Sequence, residues 1–249
     1  MRRLKTSELA SHQGGWLIFD FGNVLIEIDP ARSIEAFQTL GSKADLHLDA
    51  DFFHDFETGA IRATEFRSAL RGQLGRAASR SSLDAAWNAL LLEIPPRTLH
   101  MLRSLRAQGY RLALLSNTNP IHIDEVRRRL GPFGYGEFAR CFERIFYSYE
   151  MGLRKPDPAI YAAVDRELGI TSPAEVLFID DNAANIASAA AYGWRTLILS
   201  RIYKSWQSSM RLPTVALGCK KAMILPSAPG LGWRWISAMP AASRRSSSA

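Results

Sequence analysis

The sequence predicts an α/β fold, in which a parallel β-sheet carries helices on both faces and a small all-helical region is inserted after the first strand. Short apolar runs of strand length alternate with helical stretches, a pattern typical of parallel sheets with right-handed crossovers. Between residues 30 and 96 the pattern changes, because apolar residues recur there at three- and four-residue spacing and no strand interrupts them. A chain of 249 residues with 47% hydrophobic content can bury a sizeable core.

The elements follow in order along the chain. A short polar lead-in, residues 1–15, precedes the first strand, Trp16–Phe19. The predicted helical insertion, residues 30–96, ends at Pro95 and Pro96. Three predicted helices end at Gly109, Gly169 or Gly193, since glycine commonly caps a helix C-terminus. These helices cover 97–108, 159–168 and 182–192, and the strands that follow them cover 111–115, 176–179 and 195–199.

Polar side chains follow three of these strands directly. Asp20 comes after the first strand, and Ser116 and Asn117 come after the second. Asp180 and Asp181 come after the third, residues 176–179. The carboxyl ends of parallel strands meet in one crevice, so we expect these groups to converge there. A loop lysine, Lys155, can reach the same crevice. Together they suit phosphoryl transfer to an enzyme carboxylate.

Each of these residue patterns also has an ordinary structural explanation. Ser116 and Asn117 are residues typical of a turn after a strand, and most lysines, such as Lys155, are solvated on the surface. Either Asp180 or Asp181 could cap the following helix. Adjacent carboxylates after a buried strand repel each other unless a cation lies between them, which favours a metal site.

The four motifs, in this order, resemble those of the haloacid dehalogenase-like hydrolase superfamily, and most closely its sugar-phosphate phosphatase branch. The matching segments are Asp20 to Val24, Ser116 to Asn119, Gly152 to Pro156 and the Asp180–Asp181 pair, and the likeness extends roughly over residues 16–199. This resemblance implies a Rossmann-like catalytic core, residues 16–29 and 97–199, and a helical cap over the site, residues 30–96. A helical hairpin that merely covers the sheet is the alternative for the insertion.

The resemblance also implies roles for the individual residues. Asp20 would attack phosphorus and form an aspartyl-phosphate, while Ser116, Asn117 and Lys155 would bind the phosphoryl oxygens. A Mg²⁺ ion would be held by carboxylates of Asp20, Asp180 and Asp181 and by the carbonyl of Gly22, a set of hard oxygen ligands. The expected substrate is a small phosphorylated metabolite, such as a hexose 1-phosphate.

Gly22 departs from the pattern of many phosphatases in this superfamily. They carry a second aspartate at this position, which protonates the leaving oxygen, and glycine has no side chain to donate a proton. Losing a general acid typically costs about 10²–10⁴-fold unless another group replaces it. The sequence offers five replacements: Glu27, Asp29, the His54–Asp55 pair, Glu57 and His122.

Two other functions remain open at this point. A haloacid dehalogenase also lacks the second aspartate and uses the same nucleophile, but it needs no metal, so the Asp180–Asp181 pair favours a phosphatase. A catalytically silent binding protein with this fold would be expected to lack the nucleophile or the lysine. Asp20 and Lys155 are both present.

The C-terminal segment, residues 200–249, has a different composition. It contains eight of the 31 basic residues and no acidic one, so the remaining 23 basic residues face 24 acidic ones. The net charge of +7 therefore says nothing about the catalytic part, for which we expect no nucleic-acid binding. We predict a disordered tail; contact with an anionic membrane or nucleic acid, and a shifted reading frame, are the alternatives.

Cysteine content and hydropathy indicate the cellular setting. Cys141 and Cys219 show no metal-ligand spacing, and no secretory signal precedes them, so we expect a reducing, cytoplasmic environment. No apolar stretch reaches the ~18 residues that a transmembrane helix needs. The sequence leaves the oligomeric state open.

Overall fold

The sheet of this protein has five parallel strands in the order β3-β2-β1-β4-β5. A computed structural model describes residues 14–42, 51–74 and 77–199. The strands are β1 (Trp16–Phe19), β2 (Arg111–Ser116), β3 (Arg144–Tyr147), β4 (Val176–Asp180) and β5 (Arg195–Ile198). The prediction of a parallel sheet is confirmed. The predictions for residues 1–13 and for the tail, 200–249, lie outside the described residues.

The helices are interleaved with the strands. They are α1 (Pro30–Thr39), α2 (Asp51–Glu57), α3 (Ala63–Gly72), α4 (Arg80–Asn88), α5 (Pro96–Ala107), α6 (Pro120–Ala139), α7 (Ser148–Met151), α8 (Pro158–Leu168) and α9 (Ala183–Tyr192), with a 3₁₀ turn at Pro173–Glu175. The predicted C-terminal caps at Gly169 and Gly193 both have positive φ, as expected for glycine ending a helix.

The central strand β1 is buried on both faces, which explains its continuous apolar sequence. All four of its residues are buried, and it pairs with β2 on one side and β4 on the other. Helices cover both faces, as is usual when parallel strands are joined by crossovers. Phe19 pairs in register with Leu114 of β2 and Ile179 of β4. This register places the residues that follow the three strands beside one another.

The insertion after β1 forms a second, largely aromatic core. Four helices, α1 to α4, contribute to it, and the described residues of the insertion contain helices and no strand, as predicted. The Phe66 and Phe56 rings stack with centroids 4.1 Å apart, and Phe53 stacks on Trp87 at 5.2 Å. Ile121, at the start of α6, also belongs to this core, so the insertion packs directly against the segment that follows β2.

Helix α6 and strand β3 were absent from the elements predicted above. Helix α6 is bent at Gly131, whose φ of 65° and ψ of 169° are not helical, and Pro132 follows it. A proline removes a backbone donor, and glycine accepts positive φ at little cost, so this pair kinks the helix. A Gly-Pro pair in a sequence usually indicates the end of a helix, so the sequence does not predict that helical structure continues beyond residue 132.

Among the described residues, no helix is both long enough and apolar enough to cross a membrane.

Candidate active site

The carboxyl edge of the sheet brings the predicted groups together. Asp20 follows β1 directly, Ser116 is the last residue of β2, and Asp180 is the last residue of β4. The backbone N–H of Asp20 donates to the carbonyl of Ile179 at 2.8 Å, which holds the two aspartate-bearing strand ends side by side. The convergence expected from a parallel sheet is therefore present in the fold.

Lys155 lies at the centre of the site. Its side chain is only 1% exposed, and its Nζ donates to Asp20 Oδ1 at 2.6 Å and to Asp180 Oδ2 at 2.7 Å. A third hydrogen bond goes to the carbonyl of Leu115 at 2.9 Å. All three ammonium donors are thus used, as burial of a charge requires. The surface role considered for this lysine is excluded.

The backbone of Lys155 is fixed by the side chain of Asn117. The Lys155 N–H donates to Asn117 Oδ1, and Asn117 Nδ2 donates to the Lys155 carbonyl, both at 2.8 Å. Both polar atoms of the amide are therefore engaged. The side chain of Asn117 therefore holds the lysine loop against the end of β2.

Burial and charge oppose each other in this cluster. Burial raises the pKa of the Asp20 carboxyl, Lys155 lowers it, and Asp180 raises it further. Burial alone would lower the pKa of Lys155, but Asp20 and Asp180 together raise it, so the lysine stays protonated. Asp20 Oδ2 accepts no hydrogen bond from the described residues, which leaves one carboxylate oxygen for an incoming group.

The three aspartates form an oxygen-rich cluster suited to a divalent cation. One carboxylate oxygen from each of Asp20, Asp180 and Asp181 lies within 4.8 Å of the others. Burial raises the pKa of Asp181, while a hydrogen bond from Asn23 lowers it. Neither Asp180 nor Asp181 caps α9, because Asn182 does so by accepting from the N–H groups of Ala184 and Asn185. This donor set fits Mg²⁺, which prefers hard oxygen ligands.

Gly22 lies in the turn after Asp20. The bridge between Gly22 and Ile26 uses the N–H of Asn23 and the carbonyl of Phe21, and not the carbonyl of Gly22. A Cβ placed at Gly22 would lie 3.1 Å from Ile28 Cδ1, so the Ile28 side chain occupies the space beside it. This geometry leaves the Gly22 carbonyl available to a metal.

Ser116 is buried at 3% exposure. Its Oγ makes only a long contact, 3.4 Å, with the carbonyl of Asn117. Ser116 therefore lies at the predicted place with its hydroxyl weakly engaged. A phosphoryl oxygen could accept a hydrogen bond from it.

Sequence reasoning missed two amides that orient the aspartates. Asn23, in a left-handed conformation with φ of 55°, donates from Nδ2 to Asp181 Oδ2 at 2.9 Å. Asn185, on α9, donates to Asp180 Oδ2 at 3.0 Å. Both residues lie a few positions after an identified motif, but only the fold aims their side chains at the carboxylates.

It also missed an ion pair that links the insertion to the lysine loop. Arg154 donates to Glu57 Oε2 from Nε at 3.2 Å and from Nη2 at 2.9 Å. The two residues are 97 positions apart, so no local pattern in the sequence relates them.

Comparison with known proteins defines the class to which the chain belongs. A family model for haloacid dehalogenase-like hydrolases matches residues 16–193, and the chain is therefore a member of this hydrolase family. This result confirms the family resemblance identified from the four motifs.

Individual relatives give more specific information than the family model about the reactions found among similar proteins. The chain is 32% identical over 186 residues to D-ribitol-5-phosphate phosphatase of Bacteroides thetaiotaomicron, covering 72% of this chain and 89% of the relative. It is also similar to the crystal structure of a haloacid dehalogenase family enzyme from the same organism, in complex with magnesium and inorganic phosphate. That similarity has a TM-score of 0.70 at 36% identity and covers 79% of this chain and 99% of the other.

A dehalogenase is among the relatives as well. The chain is 29% identical over 157 residues to (S)-2-haloacid dehalogenase 1 of Pseudomonas sp., covering 63% of this chain and 65% of the relative. The phosphatase relative is matched over a larger share of both chains.

Proposed function

We propose that this protein is a Mg²⁺-dependent phosphomonoesterase that acts through an aspartyl-phosphate on Asp20. The observation that carries the proposal is the buried contact of Lys155 with both Asp20 and Asp180, with Asp181 beside them. A lysine in this place neutralises negative charge on a transferring phosphoryl group. The relatives named for a phosphatase and solved with magnesium and phosphate support the same reaction class.

Each residue of the site has a part in this reaction. Asp20 Oδ2, free of hydrogen bonds from the described residues, attacks phosphorus, while Lys155 holds Oδ1. The Ser116 hydroxyl and the Asn117 backbone N–H donate hydrogen bonds to the phosphoryl oxygens, and the positive charge of Lys155 offsets the negative charge on them. Asp20, Asp180, Asp181 and the Gly22 carbonyl would hold Mg²⁺, which when bound neutralises the phosphate charge. Water then hydrolyses the aspartyl-phosphate and restores the carboxylate.

The substrate we propose is a small sugar or polyol phosphate. One relative is named for D-ribitol 5-phosphate, and the hexose 1-phosphate expected from the motifs is a second candidate of the same chemical class. The helical insertion supplies Glu57, whose ion pair with Arg154 lies next to Lys155 in the chain and is a polar feature suited to hydroxyl groups.

Metal dependence is the first test. We expect the full-length protein to release phosphate from p-nitrophenyl phosphate and from a panel of pentitol and hexose phosphates when Mg²⁺ is present. Excess EDTA should abolish this release, because it removes the cation from the aspartate cluster. Renewed Mg²⁺ should restore the release. Asp20→Asn is the control for contaminating phosphatases. Release that is unaffected by EDTA would contradict the proposal.

The dehalogenase function predicts the opposite behaviour. The same preparation is therefore assayed for halide release from 2-haloacids in EDTA. Release under that condition would favour a dehalogenase, the activity for which the Pseudomonas relative is named, over a phosphatase.

Asn23 provides a test of the metal site itself. We expect Asn23→Gly to raise the Mg²⁺ concentration for half-maximal activity by about 10–100-fold, because Asp181 loses the donor that orients it. Glycine tolerates the positive φ of this position, so the backbone is not strained. The measurement is a Mg²⁺ titration of phosphate release. An unchanged half-maximal concentration would show that Asn23 does not support the metal ligands.

A further inference from the structure

The reaction proposed above lacks a proton donor for the leaving group. When phosphorus is transferred from a sugar or polyol phosphate, the departing oxygen becomes an alkoxide unless it is protonated. Gly22 carries no side chain, and Ile28 fills the space that a side chain there would need. A donor must therefore come from another element.

Three of the groups considered from the sequence are poorly placed for this role. His122 is buried, its Nδ1 lies 2.8 Å from Asn88 Oδ1, and burial lowers its pKa to about 3, so it carries no proton to give at neutral pH. Asp29 caps α1 by accepting from the Ala31 N–H. Asp55 is exposed on α2.

Glu57, the last residue of α2, has a different environment. Both hydrogen bonds from Arg154 end on Oε2, and Oε1 accepts none from the described residues. The Glu57 and Arg154 side chains are 25% and 28% exposed, so they are open to a substrate and not sealed in the core. Oε1 is therefore the atom that can carry and release a proton.

The turn after α2 holds the end of that helix against the segment that follows β3. Gly59 has a φ of 70°, and a Cβ there would lie 2.4 Å from the carbonyl oxygen of Tyr149, which follows β3. The end of α2 thus packs tightly against the carboxyl edge of the sheet. Arg154, the partner of Glu57, directly precedes Lys155, whose Nζ contacts Asp20.

The charges that face Glu57 support the same role. Burial raises its pKa, and Arg154 opposes that rise most strongly, with smaller opposing contributions from His54 and Lys155. Burial prevails, so the protonated carboxyl is more populated near neutral pH than that of an exposed glutamate. A protonated carboxyl can donate its proton to a leaving oxygen.

We propose that Glu57 is the general acid that replaces the side chain absent at Gly22. The inference rests on the proposed phosphatase function. As Asp20 Oδ2 bonds to phosphorus and the P–O bond to the sugar breaks, the Oε1 proton of Glu57 passes to the departing oxygen and the free alcohol leaves. In the second step water attacks the aspartyl-phosphate and gives one proton back to Glu57, so the carboxyl and Asp20 are both regenerated.

The test compares leaving groups in the full-length enzyme with Mg²⁺. The variants are Glu57→Gln, Arg154→Gln and, as a matched control on an exposed carboxylate of α1, Glu35→Gln. Each is assayed with ribitol 5-phosphate, whose alkoxide needs a proton, and with p-nitrophenyl phosphate, whose phenolate is stable without one. The quantity compared is kcat/KM, which reports the steps up to departure of the leaving group. Thermal unfolding verifies that each variant is folded.

We expect Glu57→Gln to lose about 10²–10⁴-fold in kcat/KM on ribitol 5-phosphate and less than about tenfold on p-nitrophenyl phosphate. Arg154→Gln should affect both substrates by similar factors, and Glu35→Gln neither. Equal losses of Glu57→Gln on both substrates would overturn the inference and make Glu57 a positioning residue for Arg154. Unchanged kcat/KM would overturn it as well.

Failure of the underlying reaction is distinguishable, because the wild-type enzyme would then release phosphate from neither compound. If Glu57→Gln does not fold, Glu57→Asp serves in its place. That variant keeps the acid on a shorter side chain, so a loss confined to ribitol 5-phosphate supports the inference and an equal loss on both substrates overturns it.

Discussion

Replacing the nucleophile, Asp20→Asn, should lower kcat for phosphate release by on the order of 10⁴-fold or more, because an amide oxygen cannot form the aspartyl-phosphate. The fold should survive, since asparagine has the same shape and its Oδ1 can still accept the hydrogen bond that Lys155 now gives Asp20. Asp180 would remain as the charged partner of the lysine. The measurement is steady-state phosphate release at saturating substrate and Mg²⁺.

Urea unfolding of the same preparation is the control for this variant. A loss of activity together with a stability close to that of the wild type assigns the effect to chemistry. Turnover within tenfold of the wild type would instead rule out covalent catalysis by Asp20.

Lys155→Met has the second large expected effect, and it acts on stability as well as activity. The variant leaves Asp20 and Asp180 buried without their shared cation. Removing one partner of a buried ion pair costs about 3–5 kcal/mol, because the remaining charges lose their compensation. We expect the free energy of unfolding, measured with urea in EDTA, to fall by that amount and phosphate release to be lost.

A second substitution identifies the cause of that instability. In Lys155→Met/Asp180→Asn only one of the two carboxylates that contact Lys155 remains, and we expect a substantial part of the lost stability to return. If the double variant is less stable than Lys155→Met alone, the effect comes from lost packing of the lysine stem and not from uncompensated charge.

The neighbouring positions of Asp20 and Asp180 could be predicted from the sequence because they depend only on the presence of two paired parallel strands. Apolar runs such as Trp16–Phe19 are too hydrophobic to be anything but buried strands, and parallel strands end at one edge. Asp20 and Asp180 therefore had to be neighbours once β1 and β4 paired. Their register, with Phe19 opposite Ile179, follows from that pairing.

The contacts of the loop residues could not be predicted in the same way. The amide of Asn117 pairs with the Lys155 backbone 38 residues away, a contact that the prediction of phosphate binding at Asn117 did not include. Which way an amide points depends on the path of a second loop, and residue type alone does not determine that path. The sequence likewise did not identify the residue that caps α9, which is Asn182 and not Asp180 or Asp181.

The Glu57–Arg154 pair could not be predicted from the sequence either, because it depends on tertiary packing. It depends on how the helices of the insertion pack against the sheet, through contacts such as Gly59 on the Tyr149 carbonyl. Periodicity predicts that a helix exists and which side is apolar, but the placement of its last residue over a site comes from tertiary packing.

The most direct test of the proposed mechanism is to trap the intermediate. Full-length protein is mixed with Mg²⁺ and p-nitrophenyl phosphate, quenched in acid within a turnover, digested and analysed by mass spectrometry. We predict one phosphoryl group on the peptide that contains Asp20, removed by hydroxylamine and absent when EDTA is present. An unmodified Asp20 peptide, or a phosphoryl group on another residue, in samples that are releasing phosphate would contradict the aspartyl-phosphate mechanism.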